Sequence, residues 1–313
     1  MEKLLSLEKR QYLMGIAIVL ITLHHLALYG SGFPFSLFID GNIGVDIFFF
    51  LSVFGCCCSL KRLNGECVGF YKRRALRIYP MYVVFLFILL IFFYPDLDFC
   101  KKLSLFGAQI TGLSLFNGSE ILAWYVPATI VVYAVLPLIY RILVYIQRHN
   151  SVSYCLQIVL LVLLLATNFK MPILMNTAFA FRLPILYLGI LTFLNIHREE
   201  RMVGIYVVAS VFSFFVPQLV MKASVILPLV LYGFAKSGLP LLGESVFSFL
   251  GRHSLELYLS QYIAIGTLFA HRLYGFVSEN LYVQIVLSLV FTGALSVVLF
   301  YLNKLIVKYV QML

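Results

Sequence analysis

Apolar residues along this chain come in long unbroken runs, each about the length that crosses the hydrocarbon core of a bilayer, with short polar clusters between them. The runs lack the strict two-residue alternation of barrel strands, so they predict helices. In chain order they lie at roughly 11–30, 43–60, 78–95, 120–141, 153–169, 173–194, 202–217, 223–236, 254–271 and 281–303. A further apolar stretch at 103–116 is short and broken by glycine, and reads as interfacial or re-entrant. The pattern therefore predicts an all-α polytopic membrane protein with about ten transmembrane helices, one transmembrane domain over 1–313 and no soluble domain. Lys3, Lys9 and Arg10 precede the first run, but that run is too long for the core of a signal peptide and no small-residue cleavage site follows it. It is expected to stay as the first helix.

Composition points the same way. Of 313 residues, 62% are hydrophobic and 12% charged, with a mean hydropathy of +1.00, which excludes an ordinary soluble globule. The formal net charge is +10, and the distribution of the 23 basic residues gives it a meaning. All but Lys101, Lys102, Lys170, Arg182, Lys222 and Arg272 fall before the first helix, within 61–77, 141–150, 195–201 and 236–252, or at the C-terminal end. By the positive-inside rule those segments are cytoplasmic, and an even number of helices puts both termini there. The charge thus expresses topology and contact with anionic membrane lipids, and gives no sign of a nucleic-acid partner. Cys56, Cys57 and Cys58 are consecutive, so on a helix they point in different directions; no metal site is predicted.

Two clusters of polar residues carry candidate chemistry. In FYKRRALRIYPMY (70–82), Arg74 and Arg77 are three apart and Arg73 and Arg77 four apart, so on a helix the three guanidiniums would share a side. Such a clamp suits bidentate recognition of phosphate; the plainer reading is a set of topology charges beside a span. The first helix carries His24 and His25 about 20 Å from its cytoplasmic end, and the second enters from outside with Asp46 at similar depth. Ionisable residues inside a membrane are functional hypotheses by default, and a neighbouring carboxylate orients and stabilises an imidazole acting as a base. The alternative is a polar link that only ties the two helices together.

Six stretches, in order along the chain, carry a resemblance. LMGIAIVLITLHH (13–25), GVDIFFFLSVF (44–54), RRALRIYPMY (73–82), WYVPATIVVYAVLP (124–137), RLPILYLG (182–189) and LGRHSLELYLSQ (250–261) resemble the successive motifs of the acyltransferase-3 family of integral membrane acyltransferases. The resemblance implies transfer of an acyl group, usually acetyl, from cytoplasmic acyl-CoA to a hydroxyl of a cell-surface polysaccharide or lipid-linked glycan, in a bacterial cytoplasmic membrane. It also implies that His25 is the essential histidine and that Arg74 and Arg77 are the donor-associated pair. Acetyl-CoA is then a co-substrate, with no metal. The chain departs from the pattern at three places: Met14 stands at the basic position of the first helix, Val53 replaces a glycine, and Gln261 stands where many members have a histidine. Arg10, one turn before Met14 on the same face, is expected to substitute for the missing charge.

On this reading Arg10, Arg73, Arg74 and Arg77 hold the donor, His25 takes the acceptor's proton and Asp46 steadies the imidazolium. Trp124 and Tyr125 are candidates for stacking on a sugar, or belong to an ordinary interfacial aromatic belt. Ser254 reads as a helix N-cap with Glu256 in the first turn, and Tyr258, one turn on, is placed to donate to the reacting carbonyl. The competing class is a non-catalytic glycan or lipid transporter, which predicts symmetric repeats and broken polar helices. The sequence shows neither.

Overall fold

The computed structural model describes residues 7–28, 35–117, 123–149, 153–167, 176–215, 219–237, 241–269 and 281–312. These form thirteen α-helices and two short 3-10 turns, with no strand among the described residues. The helices are α1 (Leu7–Ala27), α2 (Ile43–Arg62), α3 (Cys67–Phe92), α4 (Phe99–Thr111), α5 (Tyr125–His149), α6 (Ser153–Thr167), α7 (Thr177–Ala180), α8 (Leu183–Asn195), α9 (Glu199–Ser213), α10 (Leu219–Ser237), α11 (Glu244–Arg252), α12 (Ser254–Phe269) and α13 (Leu281–Met312). Among the described residues six segments are long and apolar enough to cross a membrane: most of α1, α2, α3, α5, α7 with α8, and α13. α6 and the middle of α10 are shorter apolar helices. The ten predicted segments all fall on helices, but an account of ten crossings has to draw on short ones such as α9 and α12, of 15 and 16 residues.

Two stretches that read as cytoplasmic connections, 61–77 and 236–252, are largely helical among the described residues, and so is most of the stretch that reads as interfacial or re-entrant. The second and third helices nearly meet: α2 runs to Arg62 and α3 starts at Cys67, where the Glu66 side chain accepts from Gly69 N at 3.2 Å and caps the new helix. The arginine motif therefore lies inside a helix that starts about three turns before the span predicted from its apolar run. The 103–116 stretch becomes α4, capped by Asp98 at Lys101 N (2.9 Å) and ended by Gly112 at φ 80°. α4 is tied to α3 by the Tyr82 hydroxyl donating to Gln109 Oε1 at 2.7 Å and the Tyr79 hydroxyl donating to the Ile110 carbonyl at 3.1 Å. The segment 236–252 contains α11, an amphipathic helix laid against α1.

α2 is the central pillar. Its apolar window is 78% buried inside the protein, against 22% for α13, which leaves most of its surface for lipid. Close approach to α2 and α1 depends on missing side chains. A Cβ on Gly44 would lie 2.4 Å from the Ala17 carbonyl oxygen, and one on Gly189 3.0 Å from that of Phe50. The α1–α11 contact is tighter still: a Cβ on Gly15 would lie 1.9 Å from the Phe247 carbonyl oxygen, and one on Gly251 1.8 Å from that of Gln11. Such backbone-to-backbone contact between small residues is the common way for membrane helices to pack where no hydrophobic effect drives them together.

Candidate active site

Because α1, α2, α3 and the end of α11 meet at one end of the bundle, five arginines meet with them. Arg10, Arg62, Arg74, Arg77 and Arg252 line a cavity of about 350 Å³, with Met14, Ser52 and Tyr133 at its inner side. None of its lining residues is acidic, and none of the five arginines has a carboxylate partner among the described residues. Concentrated guanidinium charge without protein counter-charge makes a site for an anion with several oxygens. Arg74 is steadied between the rings of Phe70 and Tyr133, 5.5 and 5.4 Å from its guanidinium carbon. Arg10 runs across Gly55, where a Cβ would sit 2.8 Å from its Nη1. The Nε atoms of Arg10 and Arg74 are buried without a hydrogen-bond partner among the described residues, so both groups keep donors that a ligand would satisfy.

The helix face predicted for the clamp divides. Arg74 and Arg77 reach the cavity, whereas Arg73 is exposed and absent from its walls. Arg10 and Met14 both line it, as their one-turn separation predicts. Arg62 and Arg252 were not singled out by the sequence reading. Arg252 sits in the quoted LGRHS stretch, but only the fold of α11 onto α1 carries it to the other arginines.

A smaller chamber of about 40 Å³ adjoins this cavity and shares Met14, Ser52, Arg77 and Tyr133 with it. Its remaining wall is apolar and aromatic, with Phe48, Ile78, Val126, Tyr125 and Tyr258. Tyr125 is buried here with its ring 5.2 Å from that of Tyr258, so it faces the interior and not an interfacial belt. Ser254, at the start of α12, is in the same wall. A file of rings then leads onward. Tyr258 and Tyr262 have centroids 5.3 Å apart, and Tyr262 lies 4.8 Å from the imidazole of His25.

His25 is enclosed by α1 and α12. Tyr262 packs against its imidazole, and Gln261 Oε1 accepts from Thr22 Oγ1 at 2.6 Å, which ties α12 to α1 one turn before His25. His25 Nδ1 is buried with no hydrogen-bond partner among the described residues. Adjacent His24 points elsewhere, its Nδ1 2.5 Å from the Ile39 carbonyl oxygen. The two histidines thus have separate surroundings, as a 100° step along a helix requires.

Asp46 is not the partner of His25. Among the described residues no hydrogen bond joins them; Asp46 Oδ1 instead lies 3.2 Å from Arg182 Nε and accepts from Ser224 Oγ at 2.6 Å. Arg182 Nη1 donates to the Ala178 carbonyl at 2.9 Å, and its guanidinium lies 5.2 Å from the Trp124 ring centre. Asp46 and Arg182 are both buried, so the pair locks α2, α8 and α10 together beneath Trp124. The sequence sets Arg182 apart from the cytoplasmic basic residues and gives it no partner. A buried cation demands a buried anion, and that demand is the signal that would have matched it to Asp46.

Among the described residues no group of His, Cys, Asp or Glu is arranged to hold a metal ion. No curated protein and no solved structure matches the chain. A family model described as an acyltransferase domain does match, over residues 11–302, a range that takes in most of α1 through most of α13 and with them, Arg10 apart, the walls of both cavities, the ring file and His25. The chain is a multi-pass membrane protein that belongs to the acyltransferase-3 family.

Proposed function

We propose that this protein is an O-acyltransferase that moves an acetyl group from acetyl-CoA, bound at the arginine cavity, to a hydroxyl of a surface polysaccharide or lipid-linked glycan that reaches His25 from the opposite side. The observation that carries the reading is the order of the parts. An arginine-lined cavity shares part of its wall with a narrow, largely apolar chamber, and Tyr258 of that chamber packs through Tyr262 against His25. The arginines suit the phosphates of CoA, the shared neck at Met14 and Tyr133 suits the thin pantetheine arm, and a chamber of about 40 Å³ suits a short acyl group. On this reading the basic end is cytoplasmic and the membrane is the bacterial cytoplasmic membrane.

In the reaction, His25 accepts the proton of the acceptor hydroxyl as its oxygen attacks the thioester carbonyl carbon. The carbon–sulfur bond breaks, the ester forms, and the proton passes from the imidazolium to the CoA thiolate. Tyr258, in the chamber wall, is the donor to the carbonyl oxygen as charge builds on it. Tyr262, packed against the imidazole, holds it in place. Asp46 acts at a distance, by fixing α2 and Trp124 through Arg182.

The test is release of CoA from acetyl-CoA by purified protein supplied with membrane glycan. Wild type should release it, and His25→Ala should release none while binding acetyl-CoA with wild-type affinity, because the donor cavity is formed by other residues. A transporter would leave acetyl-CoA intact in both. A fully active His25→Ala enzyme would remove the histidine from the reaction.

A further inference from the structure

Outside the site just described, a second basic cavity of about 600 Å³ lies where the end of α2 and the turn into α3 meet the C-terminal half of α5. Its walls carry Lys61, Arg141 and Arg148, the tyrosines Tyr140 and Tyr145, and Val144, with no acidic residue. The nearest carboxylate in sequence, Glu66, is committed to capping α3 at Gly69 N. Lys61 and Arg148 have no salt bridge among the described residues. Arg141 spends one donor on the Gly65 carbonyl, Nη2 to oxygen at 2.6 Å, which fixes its guanidinium at the cavity edge with its other donors uncommitted.

The setting of this cavity distinguishes it from a soluble-anion site. Leu138, Ile142 and Tyr145 recur at helical spacing along the outer face of α5 and are exposed by 64%, 49% and 64%. This apolar ridge lies on a membrane-spanning helix and ends at the cavity, whose wall includes Tyr145 itself. A ligand that fills both features has a phosphate for the three cations and acyl chains for the ridge. We propose that the cavity is a binding site for an anionic phospholipid, with the headgroup phosphate between Lys61, Arg141 and Arg148 and the chains along Leu138 and Ile142. Basic pockets at the boundary of transmembrane helices take phosphate headgroups in this way, and a tyrosine at that level supports the glycerol region.

The experiment uses the full-length protein in detergent, with Lys61→Gln and Arg148→Gln as variants, because neither side chain has an ion-pair partner among the described residues to lose. Phosphatidylglycerol retained per protein is measured by native mass spectrometry, with phosphatidylcholine as the neutral lipid and inorganic pyrophosphate as the soluble anion. Wild type should retain phosphatidylglycerol in preference to phosphatidylcholine, and each variant should retain about fivefold less of it. Arg10→Gln, in the other cavity, should retain as much as wild type. Equal retention by wild type and both variants overturns the proposal. So does displacement of phosphatidylglycerol by millimolar pyrophosphate at unchanged detergent, which would make the cavity a site for soluble anions.

Discussion

At the scale of single residues, helix geometry decides which side chains face the interior. Adjacent His24 and His25 look equivalent in the sequence, but helix geometry allows only one to face a given pocket, and the eleven-residue step from Met14 selects His25. The structure agrees with that geometry: His24 is engaged with the Ile39 carbonyl, and His25 lies against Tyr262 in the interior. His24→Ala should therefore cost little transfer activity, a result that a CoA-release assay reads directly. Arg10 could be assigned beforehand because it shares a face with Met14; its bed on Gly55 could not, since nothing local marks a glycine as the floor of another helix's arginine. Met14→Arg should then leave donor affinity unchanged or lower it, because the neck already has Arg77 and Arg10 beside it and a longer cation there narrows the passage. Tighter donor binding by Met14→Arg would mean that Arg10 does not substitute for the absent charge.

At the scale of elements, the helices spanning the membrane were legible because continuous apolarity has one meaning in lipid. The amphipathic pieces were not. α11 and α4, of 9 and 13 residues, are too short to register as spans, and hydropathy says nothing about what an amphipathic helix lies against. Yet α11 brings Arg252 to the donor cavity, through contacts that allow no side chain at Gly15 or Gly251. Gly251→Ala should push α11 off α1, costing about 1–3 kcal/mol of stability as an overpacked contact and weakening donor binding as well. Thermal melting and acetyl-CoA affinity measured on the same preparation check both parts. The α2–α8 contact has a polar lock in Asp46 and Arg182. Removing one partner of a buried pair strands the other, so Asp46→Asn should lower stability by about 3 kcal/mol. The double variant Asp46→Asn with Arg182→Gln should be less destabilised than the sum of the two single changes. Additive losses would show that the pair is not coupled.

At the scale of the whole molecule, the positive charge has a division of labour that a count along the chain does not show. Arg73, Arg74 and Arg77 look alike as topology signals, yet two of them line a cavity and the third is absent from its walls. The number of charges on one side follows from sequence; their convergence from α1, α2, α3 and α11 is a product of the fold, because five arginines separated by up to 242 positions share one wall. The measurement that bears most directly on the central claim is the affinity of the purified protein for acetyl-CoA, taken by calorimetry in lipid nanodiscs for wild type, Arg73→Lys, Arg74→Lys and Arg77→Lys. Lysine keeps the charge and loses the planar fork, so Arg74→Lys and Arg77→Lys should each bind acetyl-CoA about tenfold more weakly. Arg73→Lys should bind as wild type does. Equal affinity in all four would reduce the arginine motif to a topology signal and contradict the account.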